Sequence, residues 1–289
     1  MYCKECKNNS VFNNYCKEHF VDYFEEKVKN TIDKYDLLNK EERVAVAVSG
    51  GKDSLSLLYL LNKLKYNVTA LAVDEGISGY RDKTLSHLGA FCRKNQVKLK
   101  IISFKRRFGK TLDEILKKKH YKPCTICGVF RRYILNVAAN EFDVLATGHN
   151  LDDEVQAVIM NLLKGNSSIL PRLGPVSGIS TVSKFTKRVK PFYFIPEKKV
   201  MVYSIIAGLN TPFNECPNVN MAFRLKIRDM LNELEWKYPG TKKNIVDWFI
   251  KYKKDLKLEK PSARYCKKCG EPSAQEICNA CKFVIKINK

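Results

Sequence analysis

The sequence predicts an α/β protein whose parallel sheet is covered by helices, with a cysteine-rich knuckle at each end and a helical extension before the second knuckle. Three observations support this fold class. Short aliphatic segments alternate with helical segments of ten residues or more, as in parallel sheets. A glycine-rich turn directly follows the first aliphatic segment, and two sets of four metal-binding residues lie near the termini.

The terminal knuckles are predicted from the spacing of their ligands. One set is Cys3, Cys6, Cys16 and His19, and the other is Cys266, Cys269, Cys278 and Cys281. In each set two short hooks supply the four soft ligands of a closed tetrahedral Zn²⁺ site, which is structural and not catalytic. Redox pairs or exposed free thiols are the alternatives, but they do not explain why four ligands cluster twice.

Periodicity places the remaining elements between the knuckles. We predict an amphipathic helix over 21–38, strands at 44–48, 68–73, 99–103 and 144–147, a last strand at 191–196, and helices at 55–64, 197–208, 221–238 and 241–256. The predicted domains are an N-terminal zinc finger (1–24), a linker helix (25–41), a nucleotide-binding domain (42–215), a helical extension (216–260) and a C-terminal zinc finger (261–289).

The turn Ser49-Gly50-Gly51-Lys52-Asp53-Ser54 lies between a strand and a helix, where backbone N–H groups and the helix dipole attract phosphate. It lacks the spacing of a kinase-type P-loop. It resembles instead the SGGxDS pyrophosphate loop of ATP-pyrophosphatases, which adenylate an oxygen of their substrate; the alternative is an ordinary glycine turn. Ser49, Asp74 and Gly148 each follow a predicted strand, so we expect them at one edge of the sheet.

Four further cysteines belong to neither knuckle, and one of them, Cys92 on a predicted helix, is interpreted as a small core residue. Cys124 and Cys127 form a Cys-x-x-Cys pair, and Cys216 stands alone downstream. Three thiolates can hold a [4Fe-4S] cluster and leave one iron without a protein ligand, free to take an exogenous sulfur atom. A redox or persulfide pair and buried structural cysteines are the alternatives.

The charge of the chain favours a polyanionic partner. With 52 Lys and Arg against 30 Asp and Glu, the formal net charge is +22, which favours nucleic acid first and an anionic membrane surface second. Basic runs at 117–119, 131–132, 184–188 and 251–257 are expected to contact phosphates. No apolar run approaches the roughly 18 residues that span a bilayer, so we expect a cytoplasmic protein without a membrane partner.

The segment 74–82, the Pro-Cys-x-x-Cys-Gly pair, the segment 148–153 and the paired knuckles together resemble the cluster-dependent tRNA 2-thiouridine synthetases of the PP-loop superfamily, in the archaeal and eukaryotic cytosolic branch. The resemblance covers nearly the whole chain. It implies an adenine nucleotide α-hydrolase-like fold and ATP-dependent replacement of the uridine C2 oxygen by sulfur, with release of AMP and pyrophosphate. The implied partners are tRNA, sulfide or a ubiquitin-like sulfur carrier, and a second copy of the chain as a homodimer.

The resemblance also implies roles for individual residues. The six residues of the turn hold the ATP phosphates, with Lys52 opposite the departing pyrophosphate and Asp53 positioning Mg²⁺. Nucleotide contacts are implied for Val48, Val73, Arg131, Gly148 and Asp153, and catalytic roles for Lys52, Cys124, Cys127, Cys216 and Asp153. The cluster carries the hydrosulfide that attacks C2. A helix N-cap remains the alternative for Asp153 and a solvated side chain the alternative for Arg131.

Two features of the function stay open in the sequence. The modified uridine is wobble position 34 or position 54 of the T-loop, and the content of Asn and Cys, which thermophiles disfavour, favours position 34. A non-catalytic zinc-knuckle tRNA-binding protein is one rival. An amidotransferase-like or lysidine-forming relative is another, although such enzymes need no three-cysteine cluster.

Overall fold

The computed structural model describes residues 1–117, 121–177, 185–211, 216–218, 223–256 and 264–288. Its main sheet has six strands in the order β3-β2-β1-β4-β6-β5. The strands are β1 (Arg43–Ala47), β2 (Asn67–Asp74), β3 (Lys98–Ser103), β4 (Val144–Thr147), β5 (Val176–Ser177) and β6 (Lys187–Val189). All neighbouring pairs are parallel except β5 with β6.

Helices cover both faces of this sheet. They are α1 (Lys17–Lys34), α2 (Lys52–Lys63), α3 (Arg81–Lys94), α4 (Phe104–Phe108), α5 (Leu112–Leu116), α6 (Pro123–Ala139), α7 (Leu151–Leu163), α8 (Glu197–Ile206), α9 (Phe223–Lys237) and α10 (Thr241–Tyr252). Short 3-10 helices span Ser167–Arg172 and Lys253–Asp255. The C-terminal knuckle contains a two-stranded sheet, β7 (Arg264–Tyr265) with β8 (Pro272–Ser273), followed by α11 (Asn279–Ile287).

The central strand β1 shows why both faces are covered. Val44, Ala45 and Val46 are all fully buried, as expected for an unbroken aliphatic run in the middle of a parallel sheet. Val44 and Val46 belong to the large core that includes side chains of α1, α2 and α8. Ala45 belongs to a smaller cluster with residues of α6. Alternate residues of the strand therefore supply the two helical layers.

The knuckles are attached to different parts of the molecule. The N-terminal knuckle leads directly into α1, where Phe24 stacks on Tyr203 of α8 with ring centroids 4.2 Å apart. The C-terminal knuckle packs through Phe283 against Phe130 of α6, with centroids 6.3 Å apart. The second knuckle is thus a neighbour of α6, which carries Cys124 and Cys127.

The prediction of a strand at 191–196 is wrong. Two turns occupy this segment, with hydrogen bonds of 3.0 Å from Tyr193 N to Lys190 O and of 2.8 Å from Ile195 N to Phe192 O. Pro191 lacks the N–H that a ladder needs, and the apolar side chains fill the core between helices instead of extending the sheet. The sheet ends with β6 and β5, which the sequence analysis did not predict.

The other predicted strands and helices are present, with ends shifted by at most a few residues. The first two residues of the predicted helix 221–238, parts of the basic runs 117–119, 184–188 and 251–257, and the predicted boundaries 215/216 and 260/261 involve residues outside the described set. Within the described residues, every helix is too short or too polar to cross a bilayer.

Candidate active site

A cavity of about 270 Å³ opens at the carboxyl ends of β1, β2 and β4. The predicted residues that line it are Val48, Ser49, Gly51, Asp53, Ser54, Val73, Arg131, Gly148 and Asp153. They come from segments far apart in sequence, and the parallel sheet brings them together because the carboxyl ends of its strands share one edge.

The glycine turn forms the floor of the cavity. Gly50 has φ of +92°, which favours glycine. The Ser54 hydroxyl closes the turn by accepting from Ser49 N at 3.2 Å, and helix α2 begins directly afterwards. The first N–H groups of α2 therefore lie beside the cavity with the positive end of the helix dipole, which is the arrangement that binds phosphate.

Gly148 allows the loop after β4 to approach this turn. A Cβ at position 148 would lie 2.8 Å from Asp53 O and 3.0 Å from Ser54 N. A larger residue would push the two loops apart. The close approach of Gly148 to the glycine turn is therefore a backbone contact that only glycine permits.

Two residues of the turn, Gly50 and Lys52, do not line the cavity. Lys52 Nζ is 2.6 Å from Glu197 Oε1 and 3.0 Å from Asp53 Oδ2. Burial alone would lower the pKa of Lys52, but these carboxylates raise it, so the ammonium stays charged. Glu197 begins helix α8, 145 residues away in sequence, and no local pattern had identified it.

The adjacent acids Asp152 and Asp153 have different partners. Asp153 belongs to a capping box with Asn150 and accepts from Arg224 Nη2 at 3.0 Å, and burial raises its pKa. Asp152 is buried away from the cavity, where it accepts from Glu197 N at 2.7 Å and from Lys242 Nζ. The N-cap of α7 is therefore Asn150, and Asp153 completes the capping box from the third helical position while also lining the cavity.

A chain of charges connects the turn to helix α6. The buried Arg81 guanidinium donates to Ser49 O at 2.5 Å and to Val73 O at 2.9 Å. Arg81 is 2.9 Å from Glu75, and Glu75 is 3.8 Å from Arg131. Glu75 and Arg81 therefore fix the cavity wall, a role that sequence spacing did not reveal because the contacts join the ends of β1 and β2 to α3 and α6.

Cys124, Cys127 and Cys216 lie near one another. Cys124 and Cys127 are in the first turns of α6, and Cys124 Sγ donates to Asn218 O at 3.5 Å, two residues beyond Cys216. Cys127 and Cys216 pack against the same apolar cluster. Burial raises the pKa of Cys127 to about 11; Arg131 acts in the opposite direction.

His149 lies at the mouth of the cavity, with an exposed edge. Its Nδ1 is 2.9 Å from Thr147 Oγ1. The protein packed around the ring, and then the cations Lys190, Arg224 and Arg131, lower its pKa to about 3. The imidazole is therefore neutral at pH 7, so it can serve as a hydrogen-bonding group but not as a cation.

The knuckle ligands converge as predicted. Within each set the ligand atoms all lie within 4.8 Å of one another. The Sγ atoms of Cys6 and Cys16 are 3.8 Å apart, as are those of Cys269 and Cys278; ligands on a tetrahedral zinc with Zn–S bonds of about 2.3 Å are spaced about this far apart. Despite opposing burial, backbone hydrogen bonds lower the pKa of Cys3 and of Cys266 to about 6. Both sites fit zinc.

Comparison with known proteins gives a consistent set of relatives. Residues 20–232 match the PP-loop domain family ATP_bind_3. A tRNA-5-methyluridine(54) 2-sulfurtransferase of Pyrococcus horikoshii is 41% identical over 98% of this chain and 93% of its own. Cytoplasmic tRNA 2-thiolation protein 1 of Chlamydomonas reinhardtii is 36% identical over 95% and 79%.

A solved structure is also similar over almost its full length. It is the U34-tRNA thiolase NcsA from Methanococcus maripaludis with its [4Fe-4S] cluster, at a TM-score of 0.84 and 36% identity. The match covers 99% of this chain and 96% of that one.

Proposed function

The chain belongs to the PP-loop family of tRNA 2-thiolation proteins, and from this premise we propose that it is a tRNA-uridine 2-sulfurtransferase. In the proposed reaction the uridine C2 oxygen attacks the α-phosphorus of ATP and pyrophosphate leaves. Sulfur then attacks C2, and AMP leaves with the former C2 oxygen. The first step converts the C2 oxygen, a poor leaving group, into part of AMP, a good one, and the second step expels it.

The observation that carries this proposal is that one helix joins the cavity to the three cysteines. Arg131 of α6 lines the cavity, and Cys127, one turn earlier on the same helix, packs with Cys216. A uridine whose C2 lies between them would meet the ATP α-phosphate on one side and the thiols on the other. Holding both reactants in one place supplies much of the rate enhancement in such reactions.

For the first step, the proposed binding group is the N-terminus of α2 with the Ser49 and Ser54 hydroxyls. Lys52 would leave its pairing with Glu197 to neutralise charge on pyrophosphate as it departs. Asp53 and Asp153 both face the cavity, and carboxylate oxygens are the ligands that Mg²⁺ prefers. Because burial raises the pKa of both, a bound cation would also hold them in the ionised form.

The cysteines fit a cluster better than a single ion. In the described residues, only the two knuckles bring three or more ligand atoms within 4.8 Å, so at least one Sγ–Sγ separation among Cys124, Cys127 and Cys216 exceeds 4.8 Å. In a [4Fe-4S] cluster each thiolate binds a different iron, which requires wider spacing than one ion. When bound, such a cluster supplies an iron without a protein ligand that can hold a sulfur atom.

We propose uridine 34 as the target, in agreement with the composition of the chain and with the U34 thiolase that matches it over its full length. Uridine 54 is the second candidate, and the Pyrococcus relative named for that position supports it. The proposed sulfur source is sulfide or the thiocarboxylate of a ubiquitin-like carrier. A cytoplasmic location and a homodimer complete the proposal.

The decisive experiment is an anaerobic reaction of cluster-loaded protein with ATP, sulfide and unmodified tRNA, followed by nucleoside mass spectrometry and pyrophosphate assay. We expect 2-thiouridine from the unmodified tRNA. A transcript with cytidine at position 34 should give none, and a transcript with cytidine at position 54 should still give it. The opposite dependence would establish position 54. tRNA binding without pyrophosphate release would indicate the non-catalytic alternative.

A matched pair of cysteine variants tests the three-thiol site. Cys216→Ala should abolish iron loading and thiolation but retain ATP binding. Cys92→Ala, which removes a buried core cysteine away from the cavity, should retain all three. Full thiolation by Cys216→Ala would refute the proposed sulfur site.

A further inference from the structure

Arg132, exposed on α6, and Arg188, half-buried on β6, carry positive charge on the α6 side of the sheet. Arg188 of β6 is directly opposite Leu145 of β4 in the parallel register, so both side chains lie on the same face of the sheet. Leu145 packs against Ala138 and Ala139 of α6. Arg188 therefore extends into the layer that α6 covers.

Arg132 approaches the same layer from the helix. It lies three residues before Leu135, which lines the cavity and packs with Leu145. Its guanidinium folds back over Gly128, where a Cβ would lie 3.4 Å from Arg132 Nη1. Because Gly128 follows Cys127, the guanidinium lies beside the turn that carries the cysteine pair.

These two cations differ from their neighbours in having no counter-charge. Arg131, Lys190 and Arg224 each pair with a carboxylate: Glu75, Glu154 and Asp153, respectively. In the part of the chain that the structure describes, Arg132 and Arg188 have no such partner, and the buried Nη2 of Arg188 has no hydrogen-bond acceptor. Desolvation lowers the pKa of both; the charge of Arg131 adds to this effect at Arg132, and the charge of Arg132 adds to it at Arg188.

A buried donor without an acceptor beside an unbalanced charge destabilises the protein alone and favours an incoming anion. We propose that Arg132 and Arg188 form a subsite for a backbone phosphate of the RNA strand that carries the target uridine. This inference rests on the proposed function. The planar guanidinium matches phosphate geometry, and two of them can hold its oxygens from two sides.

The position of the subsite, beside the cysteine turn and the cavity mouth, suits it to hold the RNA strand in place. Arg132 is next to the cysteine turn, and Arg188 is among the cations that surround His149 at the cavity mouth. A phosphate held between them would lie beside both the cysteine turn and the mouth of the cavity. Arg132 and Arg188 are thus positioning residues that fix the strand so that the base can enter the cavity.

The test measures tRNA binding against salt concentration for Arg132→Gln and Arg188→Gln, without cluster or sulfide. Each variant should lose tRNA affinity by about tenfold and should reduce the slope of log affinity against log salt by about one. ATP affinity should not change. The control is Arg93→Gln, which removes an exposed charge at the end of α3, at the opposite edge of the sheet; its salt slope should equal that of the wild type.

Unchanged tRNA affinity and salt slope in both variants, in a protein that thiolates tRNA, would overturn the subsite and leave the proposed function intact. A wild type that makes no thiouridine would refute the proposed function, whereas a loss of tRNA affinity in the variants would still support the subsite. Normal tRNA binding with a defect only when a thiocarboxylate carrier replaces sulfide would assign the arginines to the carrier and overturn the proposal. If Arg188→Gln does not fold, Arg132→Gln decides, because Arg132 is exposed.

Discussion

Two features of its surroundings shift the pKa of the Cys127 thiol in opposite directions. Burial against the apolar cluster of α6 raises its pKa to about 11, whereas Arg131, one turn later, lowers it. Metal binding requires the thiolate, so the fold alone keeps this ligand in its inactive, protonated form at pH 7. Arg131 thus has two expected effects: it lines the cavity, and it favours the thiolate that must bind iron.

This balance predicts the pH dependence of Cys127 in the metal-free protein. Because pH 7 lies below the pKa of about 11, the thiolate fraction, and with it the alkylation rate by iodoacetamide, should rise about tenfold per pH unit from pH 7 to 9. Arg131→Gln should slow alkylation at each pH, and Arg131→Lys should restore it. Mass spectrometry with fragmentation locates the modified cysteine. A rate independent of pH would show that the thiol is already ionised.

At the scale of elements, the long central strands were predictable and the sheet edge was not. Strands β1 to β4 are aliphatic runs that the sequence marks clearly. Strand β6 has three residues, two of them basic, and β5 has two, so neither carries a periodic signal. The apolar segment after Pro191 gave a false signal because its side chains fill the core between helices instead of pairing in the sheet.

The candidate site also contains residues that could be predicted from the sequence and residues that could not. Residues within contiguous motifs, such as Ser49 and Gly148, were found from the sequence and line the cavity. Glu197 and Arg224 were missed because they meet Lys52 and Asp153 only after α8 packs on α2 and α9 packs on α7. No spacing rule connects residues that are brought together by helix packing.

Helix α7 carries two adjacent acids, Asp152 and Asp153, that have different partners and that we expect to have different roles. Asp152 joins α7 to α8 and α10 through Glu197 N and Lys242 Nζ, and both charged side chains are buried. Asp152→Asn leaves the Lys242 charge without its partner, so we expect a loss of about 3 kcal/mol in the free energy of unfolding by urea. Asp153→Asn should cost about 1 kcal/mol, the value of a helix cap, but should abolish pyrophosphate release.

The comparison of the two variants is the control. Neighbouring helix positions diverge by about 100°, so each substitution should affect only its own side of α7. Equal losses of stability, or pyrophosphate release retained by Asp153→Asn, would contradict this separation. Urea titration and the pyrophosphate assay measure the two effects on the same preparations.

At the scale of the whole molecule, the two knuckles differ in how they pack relative to Cys124, Cys127 and Cys216. The N-terminal knuckle continues into α1, which packs on α8. The C-terminal knuckle packs through Ala280 and Phe283 into the cluster that also contacts Cys127 and Cys216. If both bind zinc, loss of the second should disturb the three-cysteine site, and loss of the first should not.

Removal of one ligand from each knuckle tests this asymmetry. Cys16→Ser and Cys281→Ser each replace a buried cysteine of one tetrahedral set, so each should lower bound zinc by about one ion per chain. Only Cys281→Ser should also reduce iron loading after anaerobic reconstitution, because the helix that packs on α6 would lose its anchor. Elemental analysis gives zinc and iron together. Equal iron loss in both variants would mean that the knuckles stabilise the fold as a whole, and full zinc in either would refute that metal site.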